Sequence, residues 1–211
     1  MYKVLLSGAI FCTFLLEANA APIYIAGQAF DDSAFVSNVS VSSGSFNSFD
    51  ASTGDSISIT DALTDTSLNT YAASVGTSSL DMSFSTNIYN GTGNDLAFFF
   101  NGYGINNHIN LTIGSETIAY TAEVLWFDES SNLAYSGGGQ ALAGIFVNLD
   151  DFIQSDFTNS ALDTFNVSIA HDNWLSVVSG YNILPTPVPV PAAVWLFLSG
   201  LSVLGLIKRR K

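Results

Sequence analysis

Apolar and polar residues alternate over much of the chain between residues 21 and 184, with the two-residue period of β-strands. Leu80, Met82, Phe84 and Ile88 share one face of a predicted strand, and Ile109, Leu111 and Ile113 share one face of another. Ile118, Tyr120, Ala122, Val124 and Trp126 predict a longer strand. Phe165, Val167 and Ile169 repeat the pattern, and Leu175, Val177, Tyr181 and Ile183 predict a final strand with one apolar face. Runs 96–100 and 141–147 are apolar on both faces, as expected of central strands in a two-sheet stack.

Turn signals separate these runs at Asn90-Gly91, Gly93-Asn94, Asn101-Gly102 and Gly137-Gly138-Gly139. Ser, Thr, Asn, Asp and Gly fill the positions between β-branched and aromatic residues, which disfavours long helices. Helix is expected only in short pieces, such as residues 150–154. The fold class predicted is all-β, a two-sheet β-sandwich of jelly-roll type spanning residues 21–184.

Both ends break this pattern. Met1-Tyr2-Lys3 precedes a mostly apolar run, residues 4–16, and then Ala18-Asn19-Ala20 before Ala21. That is the three-part layout of a secretory signal peptide, residues 1–20, with small residues Ala18 and Ala20 placed for cleavage before Ala21. As a helix the run spans about 20 Å, short of a hydrocarbon core of about 30 Å. Cys12, the one cysteine in the chain, would leave with it, so no disulfide is expected in the mature protein.

At the other end a proline-rich segment, residues 185–191, leads into an apolar stretch, residues 192–207, and the basic tail Lys208-Arg209-Arg210-Lys211. The apolar stretch predicts a short transmembrane helix, and the basic tail predicts a cytoplasmic C-terminus. The block Val188-Pro189-Val190-Pro191-Ala192-Ala193-Val194-Trp195-Leu196-Phe197, with Ser199-Gly200-Leu201 and the basic tail, resembles the PEP-CTERM sorting signal in its VPLPA-CTERM variant. Val190 departs from the usual Glu or Leu between the prolines. The resemblance covers about the last 24 residues. It implies handling by the secretion machinery and an exosortase-like enzyme, passage through an inner-membrane intermediate, and delivery to the cell surface or an exopolysaccharide-associated matrix such as a biofilm.

Charge sharpens the picture. The chain carries 5 Lys+Arg against 18 Asp+Glu, and all five basic residues lie at the ends, with none between Val4 and Ile207. Every acid but Glu17 falls within residues 21–191. Such a domain repels phosphate backbones, so nucleic acid is not an expected partner. Divalent cations are the natural counter-charge, and a solvated acidic surface is the plainer alternative.

A second resemblance concerns Leu63-Thr64-Asp65 with Asn69-Thr70-Tyr71, and the loop Asn90-Gly91-Thr92-Gly93-Asn94-Asp95. Similar spacing occurs in galactose-binding-like jelly rolls of bacterial surface proteins, where it accompanies a structural calcium. The resemblance implies Asp65, Asn69 and Thr70 as ligands, with Thr66 standing where many such loops carry Gly. Ordinary Asx turns are the other reading of the same residues.

No motif for catalysis stands out. His108 and His171 fit no zinc spacing. Serines lack a nucleophile elbow, and the glycine triplet before Gln140 has no following Lys for phosphate. The acid pairs Asp31-Asp32, Asp128-Glu129 and Asp150-Asp151 are the candidate glycosidase carboxylates, but sequence neighbours on a strand point to opposite faces, so each pair by itself is a poor acid/base dyad. Asn-x-Ser/Thr triplets at Asn38, Asn90, Asn110 and Asn166 are expected by chance in this composition. Trp126, Trp174, Tyr103 and Tyr135 are the candidate sugar-stacking rings, although Trp126 and Trp174 adjoin apolar runs and are expected to fill the core. The function expected is therefore a non-enzymatic, exported surface or matrix protein whose sandwich binds glycan or calcium. The competing expectation is a secreted polysaccharide hydrolase.

Overall fold

The computed structural model describes residues 22–101, 107–125, 142–153 and 161–181. The signal peptide, the sorting segment and basic tail, Trp126, Tyr103, Tyr135 and Asp128-Glu129 lie outside the described residues. The described part is mostly antiparallel strand folded into a barrel-like sandwich.

A small hairpin, β1 (Ile23–Ile25) with β2 (Gln28–Phe30), opens the domain. A 3-10 turn follows at Asp32–Ala34. Two long strands then form the spine, β3 (Val36–Asp50) and β4 (Thr70–Tyr89), antiparallel along almost their whole length. Between them sits one short helix, α1 (Ile59–Thr64), capped by the Ser58 hydroxyl, which accepts the Asp61 N–H at 3.0 Å. The remaining strands are β5 (Leu96–Asn101), β6 (His108–Ile113), β7 (Glu116–Thr121), β8 (Glu123–Leu125), β9 (Leu142–Val147), β10 (Ala161–Ile169) and β11 (Trp174–Gly180). The expected helix near residue 150 is a 3-10 turn, Leu149–Asp151.

The layers belong to one hydrogen-bonded sheet, ordered β7-β6-β10-β4-β11-β5-β9-β8, with β3 on the other side of β4. The length of β4 makes this possible. Its first part pairs with β11 at Ala72 and Ala73, and its later part pairs with β10 from Ser78 to Tyr89. At the fork, Ser74 ties down the β10–β11 turn. Its N–H donates to the Asn173 carbonyl, its carbonyl accepts from the Asp172 N–H, and its hydroxyl donates to the Ala170 carbonyl.

The long strand expected through Ile118 and Trp126 divides at Ala122. β7 pairs with β6 at one end of the sheet order, whereas β8 pairs with β9 at the other. A single residue therefore carries the chain from one edge to the opposite edge and draws the sheet towards closure. The Ala122 N–H is held by the Asn107 carbonyl at 2.8 Å. Facing alternates on either side of this step: Ile118, Tyr120 and Ala122 pack on the main core, while Leu125 packs on a second one.

Leu80, Met82, Phe84, Ile88, Ile109, Leu111, Ile113, Phe165, Val167 and Ile169 all enter the main core. In β5, alternate residues Leu96, Phe98 and Phe100 join that core, while Ala97 and Phe99 join the second core with Ile25, Phe30 and Leu142. Double-sided burial here arises because β1 and β2 cover the outer face. In β11 the sequence-based facing fails. The register shifts between Leu175 and Val177, so Leu175 lies in the main core and Val177 in the second. Ser176, the extra residue, donates its hydroxyl to the Thr70 carbonyl at 2.7 Å.

Candidate functional site

Because even-numbered residues of β4 from Thr70 to Phe84 face inward, the odd-numbered ones form a continuous outer face on the spine. Two different surfaces lie along it. Near the start of β4, Tyr71 sits between Phe49 of β3 and Trp174 of β11. The Tyr71 and Trp174 rings stack with centroids 5.0 Å apart and planes at 11°, and Phe49 lies 5.9 Å from Tyr71 at 42°. Trp174 is 36% exposed, which corrects the expectation that it fills the core. Burial against its neighbours raises the Tyr71 phenol above its ordinary value.

Further along, the outer face is polar. Strand registry places Ser40, Asp81, Asn166, Thr112 and Thr117 side by side across β3, β4, β10, β6 and β7. At a strand spacing of about 4.8 Å this row is about 19 Å long. Asn166 Nδ2 donates to Asp81 Oδ1 at 2.7 Å and to Ser42 Oγ at 2.9 Å, and the hydroxyls of Thr112 and Thr117 bond at 2.8 Å. A parallel row, Asn38, Ser83 and Thr164, follows two residues away. Thr117 apart, the two rows line an open groove of about 590 Å³, to which Val39, Met82 and Phe165 add apolar surface. None of these residues stood out in the sequence except as chance Asn-x-Ser/Thr triplets. Their alternation was visible, but the registry that joins them across five strands was not.

Asp65 and Thr70 meet in the loop from α1 to β4, and Asn69 is tied into the same loop through its backbone. Asp65 Oδ1 accepts from the Ser67 N–H at 3.0 Å and from the Thr70 hydroxyl at 2.7 Å. The Asn69 N–H donates to Ser67 Oγ at 3.1 Å, and its carbonyl accepts from the Ala51 N–H at 2.8 Å. Thr66 adopts φ 57, the left-handed conformation that favours glycine. Burial, and then the nearby Asp50 charge, hold the Asp65 carboxyl above its ordinary range. Asp50 itself is held below it by the Ser52 hydroxyl and N–H. Among the described residues, no three His, Cys, Asp or Glu side chains gather as a metal cluster.

The two described acid pairs, Asp31-Asp32 and Asp150-Asp151, lie at 3-10 turns and not in strands, so strand alternation does not apply to them. Asp31 accepts from Ser33, Asp150 from Asn90 Nδ2 at 2.6 Å, and Asp151 from the Tyr120 hydroxyl at 3.1 Å. Asp95, in the second turn-rich loop, is fully buried. Its two oxygens accept the N–H groups of Gly91 and Leu149, each at 2.8 Å, and pin that loop to the 3-10 turn. His171 lies in the β10–β11 turn with Nδ1 2.7 Å from the Asp172 carboxylate, both exposed, and His108 opens β6. Among the described residues, no helix is long and apolar enough to cross a membrane.

No family model, curated protein or solved structure matches the chain.

Proposed function

We propose that this is an exported, C-terminally sorted protein of the cell surface or extracellular matrix, carrying a non-catalytic sandwich of jelly-roll type that binds glycan. The observation that carries the reading is the pair of addresses bracketing a cation-free β-domain. A signal-like segment ends at Ala20, and Val188-Pro189-Val190-Pro191-Ala192 precedes an apolar stretch and Lys208-Arg209-Arg210-Lys211. The described domain adds two outward surfaces, one aromatic and one rich in hydroxyls and amides, of the kinds that meet sugar rings and sugar hydroxyls. Intact-mass analysis of the surface form tests the export and sorting. The expected product starts at Ala21 and lacks the basic tail. A surface form that retains Lys211 overturns sorting by cleavage, and one that retains Met1 overturns the signal peptide.

The loop of Asp65, Asn69 and Thr70 supports a second role in calcium binding. Asp65 and Asp50 are like charges close enough to influence each other, and a divalent ion would relieve that repulsion. The same opposed pair of carboxyls is the feature that favours the hydrolase reading. Calcium titration followed by thermal unfolding, beside a reducing-sugar assay on polysaccharides, separates them. Calcium-dependent stabilisation without released sugar supports the ion site; released sugar that disappears in Asp65→Asn supports the enzyme.

A further inference from the structure

We propose that the polar groove across β3, β4, β10 and β6 binds one stretch of a neutral oligosaccharide, laid along the Ser40, Asp81, Asn166 and Thr112 row. The inference rests on the glycan-binding reading above and gives it a place and a ligand class.

The lining chemistry selects the ligand. Ser, Thr and Asn side chains each offer both donor and acceptor atoms, and Asp81 offers acceptors alone, which is the mixture that vicinal hydroxyls satisfy. An anionic chain is disfavoured because a carboxylate stands at the centre of the row and no Lys or Arg occurs between Val4 and Ile207 to balance it. The hydroxyls and amides of the two rows find no partners on an apolar peptide, whereas the apolar part of the lining, from Val39, Met82 and Phe165, suits the C–H faces of a sugar. The groove volume of about 590 Å³ falls within the size of ordinary ligand sites.

The row is also organised before any ligand arrives. Asn166 is fixed at once by Asp81 on β4 and Ser42 on β3, and Thr112 is fixed by Thr117 on β7. Each of these contacts crosses between strands, so the backbone ladder sets their spacing and a ligand need not order them. Among the described residues, Asp81 spends only its Oδ1 on Asn166, which leaves Oδ2 to accept a ligand hydroxyl.

The test is isothermal titration of the full-length chain with cellohexaose, mannohexaose and xylohexaose. Native protein is compared with Asp81→Ala, Asn166→Ala, Ser40→Tyr and Trp174→Ala. Ser40→Tyr places a strand-favouring side chain on an exposed edge position, where it narrows the groove without touching the core. Circular dichroism confirms that each variant is folded. The expected result is saturable binding of at least one hexasaccharide, weakened about tenfold or more by Asp81→Ala, Asn166→Ala and Ser40→Tyr and changed less than about twofold by Trp174→Ala. Binding lost in Trp174→Ala but kept in the three groove variants overturns the groove and leaves glycan binding standing on the aromatic surface. No saturable binding by folded native protein overturns both, while the intact-mass result for export and sorting stands apart from either.

Discussion

Trp174 stacks on Tyr71 across the β11–β4 pairing, with planes only 11° apart, and Phe49 extends the contact to β3. The three rings span three adjacent strands on the outer face, where β4 enters its pairing with β11. They brace that pairing from outside, three residues before Ser74 secures the fork from within.

A double-mutant cycle on Tyr71→Ala and Trp174→Ala measures that brace. Each single change is expected to cost about 1–3 kcal/mol, with a coupling energy of about 0.5–1.5 kcal/mol from ring stacking. Strictly additive effects in urea denaturation would show that the rings are neighbours without being partners.

Gly44 tests the stretch of β3 where the register against β4 shifts on either side of Ser43. It has φ 73, and a Cβ there would overlap the side chain and Cα of Ser78, whose hydroxyl accepts the Ser45 N–H at 3.1 Å. Gly44→Ala is expected to destabilise by about 2–4 kcal/mol through conformational strain and overlap together. Gly54 has φ 77 but open space around it, so Gly54→Ala is expected to cost about 1–2 kcal/mol from conformation alone. Equal losses at the two positions in chemical denaturation would remove the role given to the Ser78 contact.

Thr66 supplies the converse case, a β-branched residue at φ 57. Thr66→Gly relieves the steric penalty and gives back some of the gain as unfolded-chain entropy. The expected net effect is stabilisation by about 1 kcal/mol or less, read as a rise in Tm of a few degrees. A fall in Tm would mean that the threonine makes a contact worth more than its strain.

The acid side of the stability profile depends partly on Asp31. Its carboxyl is held below the ordinary value of 3.8 by the Ser33 hydroxyl first and the Ser33 N–H second. A depressed folded-state value means that the stabilisation is present above pH 3.8 and disappears as pH falls through the folded value. Ser33→Ala is therefore expected to be less stable than native protein at neutral pH, by under about 1 kcal/mol at this solvent-screened site, with the two curves converging in acid. Unfolding followed from pH 7 to pH 2 gives the comparison; a gap that widens in acid contradicts the assignment.

The inward faces of β4, β6 and β10 were legible in the sequence because strict alternation fixes which side chains share a face. The places where the sequence misled are those where one residue changes the count. Ala122 carries an apparently continuous strand to a different partner, and the bulge at Ser176 turns Val177 away from Leu175. Trp174 adjoins an apolar run, but its own position alternates outward. Helix α1 had a readable signal in Ser58 three residues before Asp61, too short a segment for periodicity to reinforce. The candidate sites divide in the same way. The Asp65 loop is local and could be picked out by spacing, whereas the row from Ser40 to Thr117 exists only through long-range strand pairing.

The second core has a consequence for the order of events in a newly made chain. Ile25 and Phe30 emerge early, yet they pack with Leu142 and Val177, which are made much later. Contacts so distant along the chain slow folding, and the first hairpin has to wait with its apolar side uncovered until the last strands appear. The nascent polypeptide thus needs shelter from premature aggregation for most of its synthesis, and truncating it before β11 would leave that hairpin permanently sticky.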